Sequence, residues 1–413
     1  MSTSGTGSPQ TGGAPEARPA GRAPLAFLAE ELAQLRAQGL YRWPRELQGA
    51  QAPVCVYDGR RVINLCSNNY LGLADHPRLK EAARRAIDAY GVGSGAVRTI
   101  AGNMAIHQAL ERRLAAFKRT EAALLYQSGF TANAGTVSAI LGKEDVVVSD
   151  ELNHASIIDG CRLSGAARRI YPHRDVASAR RCLEEARGAR RVLLITDGVF
   201  SMDGDLAPLP ELCALAREFG AIMMVDDAHA SGVVGAGGRG TVEHFGVHGL
   251  VDIQVGTLSK AWACLGGYVA GGRAVCEFLM QRARPLLFST SHPPSVAATA
   301  LAALELIEER PELIERLWEN TRFFKAGLRA LGFDTGASET PITPIMVGDE
   351  VRAMQFSDRL FAEGVFALGI AYPTVPRGKA RVRTIVTAGH TREDLSRALD
   401  ACGRAGRETG VIG

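Results

Sequence analysis

The sequence predicts an α/β fold: a large domain with a mainly parallel sheet flanked by helices, then a smaller C-terminal α+β domain. Three observations predict it. Apolar runs recur at 122–126 (A-A-L-L-Y), 146–149 (V-V-V-S), 192–196 (V-L-L-I-T), 222–226 (I-M-M-V-D) and 253–257 (I-Q-V-G-T). Helix-compatible segments at 131–141, 155–164, 176–188 and 208–219 separate most of them, the pattern of βα units around a buried sheet. After Pro285 the texture changes to long helical patterns at 294–309 and 311–331.

The elements follow in chain order. Residues 1–22 are rich in Gly, Ser, Pro and Ala and lack an apolar stretch, so they read as a disordered tail rather than a secretory signal, with a transit peptide as the alternative. Leucines and Phe27 recur at helical spacing over 25–38 and Gly39 stops the pattern, which predicts an amphipathic helix. The runs 54–57 and 61–65 flank Asp58-Gly59, a hairpin signal. Helices are expected at about 78–90 and over 103–119, where His107, Leu110, Leu114 and Phe117 share a face. Between them, 91–102 carries four glycines. That run is similar to a phosphate cradle but follows no clear strand, and a mobile or tightly turned loop is the competing reading. Beyond the long helices, strands are expected at 342–347 and 381–387 and helices at about 350–363 and 391–408. The organisation is then a tail (1–22), an N-terminal helix and hairpin segment (23–70), a large domain (71–285) and a small domain (286–413), without internal repeats.

Composition excludes several classes. The chain has 413 residues, 46% of them hydrophobic, enough for a sizeable core and more than one domain. A net charge of +3, from 47 basic and 44 acidic residues, points to no nucleic acid or other polyanion as partner. No apolar stretch reaches the length of a membrane span. None of the eight cysteines forms a C-x-x-C pair and several lie in apolar runs, which reads as free thiols in a reducing, cytoplasmic setting and not as a disulfide frame or metal site.

In a parallel sheet, ligands gather beyond the carboxyl ends of the strands. The residues there are Ser128-Gly129-Phe130, then Asp150 and Asn153-His154, then Asp197 and Ser201-Met202-Asp203-Gly204. Asp226-Asp227-Ala228-His229 and Thr257-Leu258-Ser259-Lys260 complete the set. A lysine at the end of a buried strand must be paired, have its pKa lowered, or be consumed as a Schiff base. That last use means pyridoxal phosphate (PLP), and the other strand ends supply its needs. Asp226 suits the ring nitrogen, His154 can stack on the ring, and Ser201 and His229 can donate to the ring oxygen. Gly129 and Phe130, opening a helix, and the Thr257 hydroxyl suit the phosphate. Each residue also has an ordinary reading: Asp226 as a helix cap, His154 as a loop histidine, Ser201 as a turn cap, Lys260 as a surface lysine. The joint occurrence on successive strand ends favours the cofactor.

These segments carry a family resemblance. N-N-Y-L-G-L (68–73), S-G-F-T-A-N (128–133), N-H-A-S-I-I-D-G (153–160), D-G-V-F-S-M-D-G (197–204), V-D-D-A-H (225–229) and T-L-S-K (257–260) with a later G-G-Y resemble the α-oxoamine synthases, from about residue 38 to the C-terminus. These are PLP-dependent transferases of fold type I that condense an amino acid with an acyl-CoA. The resemblance implies Lys260 as the Schiff-base lysine, Asp226 as partner of the ring nitrogen and His154 as the stacking ring. It gives Ser201 and His229 to the ring oxygen and Gly129, Phe130 and Thr257 to the phosphate. Ser289 and Thr290 match a segment through which a partner subunit touches phosphate, implying a homodimer with shared active sites. Arg383 matches the arginine that pairs with the substrate carboxylate, and Asn69 and Arg42 lie in substrate-approaching segments. No metal is implied. Several stretches, among them N-H-A-S-I-I-D-G, T-D-G-V-F-S-M-D-G, R-A-R-P-L-L-F-S, Y-P-T-V-P-R-G-K-A-R-V-R-T and the ending G-V-I-G, resemble the glycine C-acetyltransferase branch, so condensation of glycine with acetyl-CoA is expected. The sibling 8-amino-7-oxononanoate synthases of biotin synthesis have nearly the same site. Ala261-Trp262-Ala263-Cys264 departs from the common pattern, and Trp262 is expected to reshape the acyl end. Two rival classes are a silent scaffold of the same fold, against which Lys260, Asp226 and His154 speak together, and a serine hydrolase. The hydrolase needs a G-x-S-x-G elbow that Gly93-Ser94-Gly95 does not supply.

Overall fold

The computed structural model describes residues 24–413; the expected tail at 1–22 lies outside them. The chain divides into two units, Met1–Arg45 and Glu46–Gly413. The first contains the helix Ala26–Ala37, none of whose residues is buried.

The strands of the second unit are β1 (Val54–Tyr57), β2 (Arg60–Asn64), β3 (Ala122–Tyr126), β4 (Val146–Asp150), β5 (Ala167–Tyr171), β6 (Val192–Asp197) and β7 (Ile222–Asp226). They continue with β8 (Ile253–Thr257), β9 (Gly267–Gly271), β10 (Ile342–Gly348), β11 (Val365–Phe366), β12 (Leu368–Ile370) and β13 (Ala380–Ile385). Seven of them form the central sheet in the order β3-β9-β8-β7-β6-β4-β5. The block from β8 to β5 is parallel, and β9 runs antiparallel to both β3 and β8. The mainly parallel sheet with helices around it is the expected fold.

Burial on both faces explains the continuous apolar runs. Every residue of β8 is buried, and Leu193, Leu194, Ile195, Met223, Met224 and Val225 are fully excluded from solvent. Two strands escape the apolar-run criterion. β5, A-R-R-I-Y, is an edge strand with exposed charges, and β9 is a short glycine-bounded strand.

A second sheet, β10-β13-β12, is antiparallel, with β10 and β13 paired from Ile342↔Ile385 onward. The helices Glu350–Ala362 and Arg392–Glu408 accompany it, the latter opened by a Thr391–Asp394 capping box. The β1-β2 hairpin is completed by β11, which pairs in parallel with β2 through Val365↔Ile63. Residues near the start of the chain thus share a sheet with residues beyond 360.

The glycine-rich run is a tight loop, not a helix start. Gly91 and Gly95 take positive φ, Val97 bridges Thr290, and Ser291 Oγ donates to the carbonyls of Ala96 and Gly102. All eight cysteines are free, five of them buried. Among the described residues no helix is long and apolar enough to cross a membrane.

Candidate active site

The carboxyl ends of β6, β7 and β8 open on a cavity of about 240 Å³. Gly129, Phe130, His154, Ser201, Asp226, His229, Thr257 and Lys260 all line it. Ser128, Ser156, Asp197 and Ser259 line it as well. One fold therefore brings eight residues anticipated from strand ends into a single space.

Asp226 and Asp197 end neighbouring strands and are register partners. Asp226 accepts from the Ala228 N–H (2.8 Å) and the Asn133 side-chain amide (2.5 Å). Asp197 accepts the His154 N–H at 3.0 Å, and its own N–H donates to Asn153 Oδ1 at 2.7 Å. Burial, and then the adjacent Asp226, push the Asp197 carboxyl well above its ordinary range. Burial and the neighbouring carboxyl thus both oppose ionisation of Asp197 beside Asp226.

His154 caps the helix Ala155–Ser164, and its Nδ1 lies 2.7 Å from Ser156 Oγ. Burial lowers its pKa, so the imidazole is neutral. His229 is set by Tyr70, whose hydroxyl lies 2.8 Å from Nδ1. Burial raises the Tyr70 phenol and, with the charges of Lys260 and Arg383, holds His229 well below the usual range. Where the phenol donates to Nδ1, the imidazole presents an Nε2–H to the cavity.

After β8, Thr257 Oγ1 donates to the Gly266 carbonyl (2.9 Å) and meets Ser259 Oγ at 2.7 Å. Lys260 follows. Burial is the largest influence on its amine and lowers its pKa to about 8, against the opposing pull of Asp226 and Asp197. Across the cavity, the helix Gly129–Ile140 begins with Ser128 Oγ accepting the Thr131 N–H at 3.1 Å. The remaining N–H groups of a first helical turn have no carbonyl behind them, which makes this an anion cradle. Its closeness to β9 is enforced by glycine: a Cβ on Gly267 would lie 2.3 Å from the Ser128 carbonyl carbon and 2.5 Å from the Gly129 nitrogen.

The second sheet reaches the site through two arginines of β13. Arg381 donates to Met202 O and Asp203 Oδ1, and Arg383 donates to Ser201 O at 3.0 Å. They pin the turn that presents Ser201, which needs Gly204 because a Cβ there would lie 2.3 Å from the Ile342 carbonyl oxygen. Arg383 thus meets the site from outside the cavity wall. Asn69 also lies off the wall, its Oδ1 accepting the Ala74 N–H at 3.2 Å. Ser289 and Thr290 stand beside the glycine-rich loop, their carbonyls accepting from Gln127 Nε2. Arg42 belongs to the N-terminal unit, where it donates to the Tyr41 carbonyl. Among the described residues no group of His, Cys, Asp or Glu is arranged to hold a metal ion.

Trp262 corrects the sequence reading. Its side chain is fully buried against Phe117 and Tyr268, with ring centroids at 5.3 and 6.4 Å, and its Nε1 is unpaired. A core residue of this kind cannot shape an acyl pocket directly. Sequence reasoning assigned no role to Ser156, Asp197 or Asn133, although Asp197 had been noted at a strand end and the other two lie inside the matched segments.

The residues fit pyridoxal phosphate. An amine with depressed pKa, a buried carboxylate, a neutral imidazole and a glycine-enforced anion cradle share one cavity. The family profile described as aminotransferase class I and II matches residues 60–402. The 8-amino-7-oxononanoate synthase of Symbiobacterium thermophilum is 63% identical over 387 residues, covering 94% of this chain and 99% of that protein. The 8-amino-7-oxononanoate synthase of Thermoanaerobacter pseudethanolicus is 57% identical over 389 residues, covering 94% and 98%. A serine palmitoyltransferase from S. paucimobilis, solved with PLP bound as its myriocin adduct, matches with a TM-score of 0.90 at 32% identity, covering 95% of this chain and all of that one. The chain belongs to the α-oxoamine synthases, within the aminotransferase class I and II family.

This α-oxoamine synthase is a PLP-dependent acyltransferase. The expected glycine C-acetyltransferase activity is overturned: both relatives named above are 8-amino-7-oxononanoate synthases. The stretches that suggested it explain the error. N-H-A-S-I-I-D-G and D-G-V-F-S-M-D-G supply His154, Ser156, Asp197 and Ser201 to the cavity. They hold what every α-oxoamine synthase shares, the cofactor, and so do not discriminate the acyl donor.

Proposed function

We propose that this synthase condenses alanine with a pimeloyl thioester to give 8-amino-7-oxononanoate, releasing carbon dioxide and the thiol carrier, a step in biotin synthesis. The observation that carries the proposal is identity of 63% and 57% to synthases so named, across 94% of the chain. Bound in the cavity, pyridoxal phosphate supplies an electron sink for the pair left at the amino acid's α-carbon.

The chain's own residues do the rest. Lys260 Nζ, neutral in a fair fraction near pH 8, anchors the cofactor, then takes the α-proton from alanine as general base. Asp226 keeps the proton on the ring nitrogen. His154 covers one face of the ring and excludes water there. His229 Nε2–H and the Ser201 hydroxyl donate to the ring oxygen. The N–H groups of Gly129 and Phe130 and the Thr257 hydroxyl receive the phosphate. Arg383 presents a fork to the substrate carboxylate, the group lost as carbon dioxide, with Asn69 as a further substrate contact. Ser289 and Thr290 complete the phosphate site of a second copy in a homodimer. Sedimentation showing only a monomer in the active preparation would remove that last assignment. Free thiols throughout suit a reducing, cytoplasmic setting.

The test is substrate pairing. Purified enzyme with PLP is given alanine or glycine, each with pimeloyl-CoA, its carrier-protein thioester, or acetyl-CoA, and free thiol and carbon dioxide are measured. Equal release of both with alanine and a pimeloyl thioester is expected. Faster turnover of glycine with acetyl-CoA would refute the assignment.

A further inference from the structure

We infer that Asn133 and Ser156 form a buried hydrogen-bonded bridge that positions Asp226 and His154 relative to one another, and so orients the cofactor ring. The inference rests on the roles proposed above for those two residues. Neither partner was assigned from the sequence, and Asn133 lines no part of the cavity, so it acts through others.

Asn133 lies in the helix Gly129–Ile140 and Ser156 in the first turn of Ala155–Ser164; both are fully buried. The two helices meet closely, since a Cβ on Gly160 would lie 3.1 Å from both Ala134 Cα and the Asn133 carbonyl oxygen. Asn133 Nδ2 donates one proton to Asp226 Oδ2 at 2.5 Å and the other to Ser156 Oγ at 2.9 Å. Its Oδ1 has no partner. Turning the amide over would set that oxygen against a carboxylate oxygen and forfeit both bonds, so the orientation is dictated by the contacts.

The direction continues through Ser156. Its backbone N–H reaches His154 Nδ1 at 3.2 Å, and its Oγ stands 2.7 Å from the same nitrogen. A backbone N–H can only donate, so Nδ1 is an acceptor. The Ser156 hydroxyl proton therefore points to His154 while its lone pair receives Asn133. Donation runs from Asn133 to Ser156 to His154 and, separately, from Asn133 to Asp226. The imidazole is left with its proton on Nε2, which agrees with the depression of its pKa by burial. A single amide thus fixes the carboxylate at the ring nitrogen and, through one hydroxyl, the tautomer and tilt of the ring that stacks. That Oδ1 is left unpaired and buried, a costly arrangement, is consistent with the two donors being what the fold retains.

The experiment compares PLP-loaded wild type with Asn133→Ala, Ser156→Ala, the double variant and Asp226→Ala. The readouts are the PLP dissociation constant and the circular dichroism of the bound cofactor, alongside the thermal midpoint. Each single alanine at 133 or 156 is expected to raise the dissociation constant roughly ten- to hundredfold, the size of losing hydrogen bonds to charged or ring groups, and to weaken the dichroic band. The double variant should be no worse than the more damaging single one, because both break the same bridge. Unchanged band and affinity in both single variants, or effects that add in the double, overturn the bridge. A band lost in Asp226→Ala but kept in Asn133→Ala overturns the bridge alone. A band kept in both removes the assigned role of Asp226 as well. Should Asn133→Ala fail to fold, Ser156→Ala, which deletes one oxygen, carries the test.

Discussion

Lys260 is set up as a base. Water stabilises an ammonium far better than this cavity does, and burial brings the pKa from 10.5 to about 8. Only the neutral amine attacks an aldehyde. Reconstitution of the apoenzyme with PLP, followed by visible absorbance, should therefore accelerate as pH rises through about 8 and level off above it. A rate still climbing at pH 10 would place the amine in water. The same burial was inferable from the sequence, because a lysine three residues beyond a run such as I-Q-V-G-T has little water around it. The residues that follow strand ends were legible for this reason: parallel strands deliver their last residues to one edge. Asn133 and Ser156 were not. Their work runs through the bonds of Asn133 to Ser156 and to Asp226, contacts that exist only after two helices and a strand have packed.

Among the elements, the junction of β9 with the helix Gly129–Ile140 has no room for a single added methyl. Gly267→Ala would place its Cβ 2.3 Å from the Ser128 backbone. Backbone cannot swing aside as a side chain can, so the helix start must move. We expect a loss of about 1–3 kcal/mol in urea unfolding and a weakened PLP affinity, because the displaced N–H groups are those proposed for the phosphate. Wild-type affinity in that variant would show that the cradle lies elsewhere. At this scale the sequence was uneven. β7 and β8 announced themselves by continuous apolar residues. β9 did not, since its bounding glycines signal close approach more strongly than they signal a strand, and β5 carries two arginines on an exposed edge. Both are shaped by their neighbours, not by their own composition.

The whole molecule turns on long-range ties. Lys118, ending the helix Ala105–Lys118, is sealed from solvent and pairs at 2.9 Å with Asp227, which also takes the Thr241 hydroxyl. This joins the helix before the sheet to the turn that carries Asp226 and His229. Lys118→Met leaves a carboxylate buried without its partner and should cost about 3–5 kcal/mol, measured by denaturant unfolding of the apoenzyme. Adding Asp227→Asn should recover part of the loss; if it does not, the charge was never the reason. The sequence showed the change of texture after Pro285 but not the pairing of 54–64 with β11, whose two residues are too short to leave a pattern. Acyl choice was illegible for a related cause. The unusual tryptophan that drew attention to itself is spent on the core.

The upward push on the Asp197 carboxyl has a consequence for which substitutions the gene can accept. Two aspartates sit side by side at the site, yet the contact with the ring nitrogen is proposed for Asp226 alone. Exchange of Asp197 for asparagine keeps an oxygen for the His154 N–H and relieves the crowding of two carboxyls. The same exchange at Asp226 removes the anion assigned to the ring nitrogen. In a bacterial host lacking its own 8-amino-7-oxononanoate synthase, Asp197→Asn should still support growth without biotin, whereas Asp226→Asn should not.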